Sequence, residues 1–249
     1  MNTDRPVLTR ALLVSRGRAV PRPPARIVHL GLGAFHRAHQ AWYTAHAGNA
    51  HEWGIVAFTG RSPAMAEVLS SQDGLYTVIE RSSTADRHEI VTSLVEAQDG
   101  ANIPRLAEKF ASPDVSIVTI TVTEAGYRLR ADGSPDTSDA ALAQDLATLR
   151  TAVSSTAQPG RLSVTTMLGR LLAGLEARRR ASGSGIAVVP CDNLPANGSL
   201  MSRGTIEAAE FVSPGLAEWI AQNVSFVSTS VDRITPRTTA ADAEGLNAL

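Results

Sequence analysis

Apolar and polar positions along the chain fall into short blocks of two periods. ARIVHLGLG is an apolar run ending in glycines, which predicts a buried strand from Ala25 to Leu30. AFHRAHQAWYTAHAG then continues without a breaker to Gly48, which predicts a helix. WGIVAFT (53–59) is strand-like, and SPAMAEVLSSQ reads as a helix with Ser62 as N-cap and Pro63 at the first position. Strand, glycine turn, helix, strand, helix is the alternation of a parallel sheet with crossover helices. LYTVIERSS and RHEIVTSLVEA alternate around a polar turn, so an antiparallel hairpin is expected over about residues 75–96, inserted in that pattern.

A short helix over 102–110 leads into DVSIVTITVTEAG, from Asp114. This is the most apolar and β-branched run, hence the expected central strand. RLRADGSPDTSD is a loop by composition. ALAQDLATLRTAV and RLSVTTMLGRLLAGLEARRR predict two helices divided at Gln158-Pro159-Gly160. GIAVVPCDN predicts a strand with an abrupt end, Asn197 the cap of a helix running towards Phe211, and NVSFVSTSVD a last strand. Residues 1–24 read as a leader segment, 25–236 as one dinucleotide-binding domain, and 237–249 as a fraying tail. The fold class expected is α/β, a Rossmann-like, doubly wound, mainly parallel sheet with a β-hairpin insertion.

Composition narrows the partners. The 249 residues are 43% hydrophobic with a net charge of -1. That argues against nucleic acid or an acidic membrane surface, both of which reward a clustered basic field. No apolar run approaches the ~20 residues that span a bilayer, and no signal-peptide pattern opens the chain. Cys191 stands alone, so an internal disulfide is excluded and a cytoplasmic protein is expected. Lys109 is the only lysine among 23 basic residues, which leaves almost no lysine for base chemistry.

Gly31-Leu32-Gly33-Ala34-Phe35-His36 sits where the first strand meets the first helix. There, glycines admit a close backbone approach and the helix start offers free N–H groups to a phosphate. His36 replaces the third glycine of the usual fingerprint, and a tight turn without ligand is the competing reading. His36 and His39, three apart, read either as cofactor neighbours or as helix packing; no carboxylate or cysteine cluster completes a metal site. Arg37 suits bidentate contact with a phosphate. Polar groups also end two apolar strands, at Thr123-Glu124 and at Cys191-Asp192-Asn193, where open α/β sheets bind ligands. Asp192 reads rather as a turn former, and Cys191 as a small buried residue.

The whole string Gly-Leu-Gly-Ala-Phe-His-Arg-Ala-His-Gln (31–40) resembles the opening of the mannitol dehydrogenase family, the long-chain polyol dehydrogenases and uronate reductases. QDGLYTVIE (72–80), TVTEAGYR (121–128), PCDNLPANG (190–198) and VDRITPRTT (231–239) are similar to that family in the same order. The resemblance implies NAD or NADP as cofactor, with Gly31, Gly33, Phe35, His36, Arg37, Thr123 and Glu124 around it. It further implies that Asn193 polarises the oxygen being oxidised or reduced, and that Asp232 lies in the substrate pocket. The substrates it implies are sugar alcohols, ketoses and uronates.

The family's general base is a lysine on a second, mostly helical domain. The chain is expected to lack that catalytic domain, since it stops soon after VDRITP and no histidine follows His88. A non-catalytic nucleotide-binding module is the alternative; a methyltransferase, which shares a glycine-rich first turn, is disfavoured by the FHRAHQ and CDN strings. At the end of the second strand, Gly60-Arg61-Ser62 has no acid until Glu67. An acid there would accept the ribose hydroxyls of NAD, whereas Arg61 and Ser62 suit the 2′-phosphate of NADP. The pattern points to NADP, or to dual use, rather than strict NAD.

Overall fold

The computed structural model describes residues 6–154, 162–181, 183–239 and 242. Its main sheet has the order β5-β2-β1-β6-β7-β8, where β1 is Ala25–Leu30, β2 Gly54–Phe58, β5 Leu94–Gln98, β6 Ile117–Ile120, β7 Ile186–Pro190 and β8 Val224–Phe226. Every pairing in it is parallel. The chain runs outward from β1 in one direction, then returns to β6 on β1's other side. That reversal between β1 and β6 opens a crevice at the strands' carboxyl ends.

Both faces of the sheet are covered, which is why its strands read as nearly continuous apolar runs. Alternate residues serve opposite layers: Val28, Leu30, Val56, Phe58, Val118 and Ile120 enter the larger core, and Ile27, Ile55 and Ala57 the smaller one. The larger core is closed by α5 (Ile103–Ala111), α6 (Ala140–Ser154), α7 (Met167–Ala181), α8 (Asn197–Val212) and α9 (Pro214–Asn223). The smaller one is closed by α3 (Gln40–His46), α4 (Ala64–Ser71) and the hairpin of β3 (Tyr76–Glu80) with β4 (Arg87–Val91).

Several elements depart from the hydrophobic pattern, each for a tertiary reason. The predicted helix 34–48 is two, α2 (Ala34–Ala38) and α3, broken at His39 (φ -121°, ψ -84°). His36 and Ala41, five residues apart, would point about 140° apart on one straight helix, yet both are buried. The hairpin's second arm ends at Val91, and Leu94–Gln98 joins the main sheet beside β2 instead. Alternation alone does not say which partner a strand takes. α7 begins at Met167, not near Arg161, because the Asp145 carboxylate on α6 accepts from the N–H groups of Thr165 and Thr166 and from the Thr166 hydroxyl. The divide at Gln158-Pro159-Gly160 lies outside the described residues.

Within residues 6–24 a short helix, α1 (Arg10–Ser15), is capped by Thr9 and buries Leu13. Arg10 ties it down through its N–H to Asp73 and its guanidinium to the carbonyls of Val20, Pro21 and Thr92. Arg178, fully buried in α7, donates to the carbonyls of Phe110, Ser112, Ser184 and Gly185 and to the Ser184 hydroxyl, stapling α5 to the approach to β7. No helix among the described residues is long and apolar enough to cross a membrane.

Candidate functional site

The crevice at the sheet's reversal has a volume of about 470 Å³. Its walls come from the glycine turn (Gly31, Gly33, Ala34, Phe35), the exit of β6 (Thr121–Thr123), the exit of β7 (Cys191–Asn193) and the segment Val231–Ile234. Gly31 has φ +106°, and a Cβ there would fall on the Thr121 carbonyl oxygen. Only glycine lets β1 and β6 come this close. Gly31 and Leu32 both donate to the Phe58 carbonyl, whereas the N–H groups of Gly33, Ala34 and Phe35 have no protein acceptor among the described residues. Three free donors therefore face the crevice at the first turn of α2.

Beneath this turn lies a buried polar cluster. The Thr121 hydroxyl donates to the Gly31 carbonyl at 2.9 Å and so receives the Nε2–H of His29, at 3.0 Å. His29 Nδ1 then accepts from Thr119, at 2.8 Å, so the ring is neutral and its tautomer is set by its partners. His36 stacks on it with centroids 3.4 Å apart, and both rings are fully buried. Burial pushes the His29 pKa down to about 3. Burial, then the electrostatic influence of His29 and Arg37, hold His36 well below the ordinary histidine value.

Two residues expected near the cofactor lie outside the crevice lining. His36 is fully buried beneath the turn, stacked on His29. Arg37 lies outside the crevice lining, half-buried, its carbonyl accepting from the Tyr76 hydroxyl at 2.8 Å. The other residues sit at strand exits. Thr123, Asn193 and Asp232 border the crevice together, although 109 residues or fewer of sequence would not place any two side by side. Glu124 lines a neighbouring pocket of about 440 Å³ with Tyr127, Arg130 and Leu194. Arg61 and Ser62 are exposed after β2, with the Ser62 hydroxyl accepting from the Ala64 N–H at 3.3 Å as α4 begins.

Asn197 is not the cap of α8. It is the first helical residue, after Ala196 in a left-handed conformation. Its side chain instead accepts from the Thr229 N–H (2.9 Å) and donates to Asp192 Oδ1 (3.0 Å), tying the chain after β8 to the exit of β7. Asp192 also accepts from the Leu194 N–H and the Tyr127 hydroxyl, so it organises the turn that presents Asn193. Burial and that hydrogen bond push the Tyr127 pKa up. Further along, Arg233 lies over the Tyr43 ring (5.8 Å) and Thr235 approaches His39 Nδ1 (3.5 Å), which holds Asp232 over α2 and α3. Asn197 and Thr229 carried no signal beyond their motifs, because their partnership spans 32 residues.

Cys191 is nearly buried in the crevice wall, and burial pushes its thiol up to about 11. At pH 8 it should therefore react with iodoacetamide roughly tenfold to a hundredfold more slowly than a free cysteine. Alkylation at the rate of free cysteine would show that the wall opens.

The family model for the mannitol dehydrogenase Rossmann domain matches residues 25–248. The chain belongs to the mannitol dehydrogenase family. It is 38% identical over 223 residues to a mannitol 2-dehydrogenase of Cereibacter sphaeroides, covering 85% of this chain and 43% of that protein. It is 36% identical over 228 residues to the D-mannonate oxidoreductase of Escherichia coli K12, covering 88% and 44%. The solved ternary complex of Pseudomonas fluorescens mannitol 2-dehydrogenase with NAD and D-mannitol superposes with a TM-score of 0.79 at 32% identity, over 91% of this chain and 45% of that one. The chain thus spans about half the length of these relatives. Within the mannitol dehydrogenase family's Rossmann domain, the glycine turn, the exits of β6 and β7 and the segment after β8 are the parts that meet here in one crevice.

Proposed function

We propose that this chain is the cofactor-binding half of an NAD(P)-dependent oxidoreductase that interconverts a sugar alcohol and a ketose, or reduces a hexuronate. The observation that carries this reading is the meeting of three free N–H donors at the glycine turn with Asn193 and Asp232 across one crevice. The pyrophosphate of a dinucleotide suits those donors and the start of α2. When bound, its nicotinamide supplies or accepts the hydride. The Asn193 amide N–H donates to the oxygen on which negative charge develops, without itself titrating, and Asp232 accepts from a neighbouring hydroxyl of the substrate. Asp192 and Asn197 hold that turn in place.

On this reading, the proton partner for the reacting oxygen is supplied from beyond the described residues. Lys109 pairs with Glu96 on β5 (3.4 Å), His36 is buried, and no lysine or histidine lines the crevice. An oxidation of alcohol to ketone needs such a group within reach. The exposed Ile234 (86%), Val227 and Tyr43, near the crevice, suit a second wall. At the cofactor's other end Arg61 and Ser62 favour a 2′-phosphate, hence NADP over strict NAD.

The test is calorimetric titration of the chain with NADP and NAD, alongside an assay of mannitol oxidation. Binding of NADP more tightly than NAD, weakened selectively by Arg61→Ala, is expected, with no turnover by the chain alone. Steady oxidation of mannitol above trace would refute the half-site reading. Tighter binding of NAD would refute the NADP preference and leave the rest.

A further inference from the structure

The exit of β2 is shaped by a residue 111 positions away. Arg170, on α7, sends Nη1 to the carbonyl oxygens of both Thr59 and Gly60, at 3.1 and 2.8 Å. Arg170 is half-buried, and its Nε is buried with no partner. The two carboxylates that attract it, Asp99 and Asp145, are engaged elsewhere: Asp99 accepts from the Ala101 N–H, and Asp145 caps α7. Arg178, two turns further along the same helix, satisfies its guanidinium on five oxygens from two segments and is a staple. Both hydrogen bonds given for Arg170 instead serve one turn, at the cost of a stranded buried nitrogen.

The geometry of that turn follows from planarity. All described peptide bonds are trans, so each N–H points opposite the carbonyl of its own peptide unit. With the Thr59 and Gly60 carbonyls held towards Arg170, the N–H groups of Gly60 and Arg61 are turned away from it. Neither has a partner among the described residues, both residues are exposed, and nothing crowds the space where a Gly60 Cβ would lie. The Arg61 guanidinium and the Ser62 hydroxyl follow directly. No carboxylate occurs in the sequence between Glu52 and Glu67. Two successive outward N–H groups make a concavity for an anion, and carbonyls bonded to a cation make their own N–H groups better donors.

We propose that Arg170 is a positioning residue for cofactor selection: it turns the Gly60 and Arg61 N–H groups outward to form, with Arg61 and Ser62, the site for the 2′-phosphate that distinguishes NADP from NAD. This rests on the reading that the β2 exit receives the adenosine end. Arg170 itself does not touch the phosphate. It acts from behind the peptide planes, so losing it should weaken recognition of the phosphate and leave recognition of the adenosine unchanged.

Calorimetry with 2′,5′-ADP and 5′-AMP as probes separates the two effects. In the unmodified chain, 2′,5′-ADP should bind at least about tenfold more tightly than 5′-AMP, as expected for charge-assisted contacts to a dianion. Arg170→Gln should lose about tenfold for 2′,5′-ADP and less than about twofold for 5′-AMP, with Arg170→Lys intermediate. Should the glutamine variant fail to fold, amide chemical shifts of the unmodified chain decide. Gly60 and Arg61 should move on adding 2′,5′-ADP and stay in place with 5′-AMP. Unmoved amides, or equal loss of both probes in a folded Arg170→Gln, would overturn the proposal. Should Arg61→Ala abolish the preference while Arg170→Gln retains it, the NADP reading stands and only Arg170's role falls. If the unmodified chain prefers 5′-AMP, both fall together.

Discussion

Between pH 7 and pH 5 the chain is expected to lose about 2 kcal/mol of unfolding free energy through His29, and more through His36. Both imidazoles are fully buried, stacked and held neutral, with His29 depressed to about 3 and His36 well below 6.5. The groups facing them are the hydroxyls of Thr119 and Thr121, the Gln40 amide and the charge of Arg37. In the unfolded chain each ring titrates near 6.5. Above that value neither state binds the proton, and the full stability is present. As the pH falls from 6.5 only the unfolded state is protonated, so stability declines, by about 2 kcal/mol at pH 5 for His29, with His36 adding a loss of the same sign. Burial raises the carboxyl of Glu96, but the hydrogen bond from Arg105 and the charge of Lys109 outweigh it and hold its pKa below 4.5. Its contribution is therefore lost only as the pH drops below that value, and the window from 7 to 5 isolates the histidines.

His36→Leu provides the control. Neither ring nitrogen of His36 has a hydrogen-bond partner, so an apolar side chain of similar size removes an unmet polar group and one of the two titrating rings. The variant should be no less stable at pH 7 and should lose less than the unmodified chain by pH 5. Urea midpoints measured at both pH values decide. Identical midpoints at pH 7 and 5 in the unmodified chain would mean that the imidazoles reach solvent.

Gly31→Ala is expected to cost about 2–6 kcal/mol, the sum of strain at a left-handed backbone position and overpacking against a backbone atom that cannot yield. The methyl would occupy the place of the Thr121 carbonyl oxygen at φ +106°. Relief requires β1 and β6 to part at the crevice, breaking the Thr121-to-Gly31 hydrogen bond. Gly33 is a sharp contrast two residues on. Its φ is -126° and an added Cβ meets only the Gly31 carbonyl at 3.5 Å, an ordinary contact. Gly33→Ala should therefore leave thermal stability within about 1 kcal/mol, while a methyl beside the free N–H groups weakens dinucleotide binding. Thermal unfolding of both variants, with binding titrations, checks this. Equal stability of the two would show that the β1–β6 approach does not depend on glycine.

How much of this was legible in sequence depends on the range of the interaction. The strands β1, β2 and β7 were legible because burial on both faces writes an uninterrupted apolar run. The glycine turn was legible because its constraint is local: one residue must take a positive φ where strand meets helix. Asn193 and Asp232 were singled out through ordered motifs, and both line the crevice. Other assignments failed where a distant partner intervened. His36 stayed open between cofactor neighbour and helix packing, because composition at the turn says nothing about which side of a helix faces inward. Asn197 looked like a cap because its real partner, Thr229, belongs to another strand's exit.

The sequence by itself determined the α/β alternation, the position of the glycine turn, the family and the absence of an acid at the β2 exit. Each of these is written within a few consecutive residues, as period, glycine, motif or charge. Only the tertiary structure decided that Leu94–Gln98 leaves the hairpin for the main sheet, that α7 starts where Asp145 caps it, that His29 and His36 are stacked and neutral, and that Arg170 donates to the carbonyls of Thr59 and Gly60. In every one of these the deciding partner lies far along the chain. Burial, pairing and hydrogen bonding act between atoms that the fold brings together, and local pattern does not record who those atoms will be.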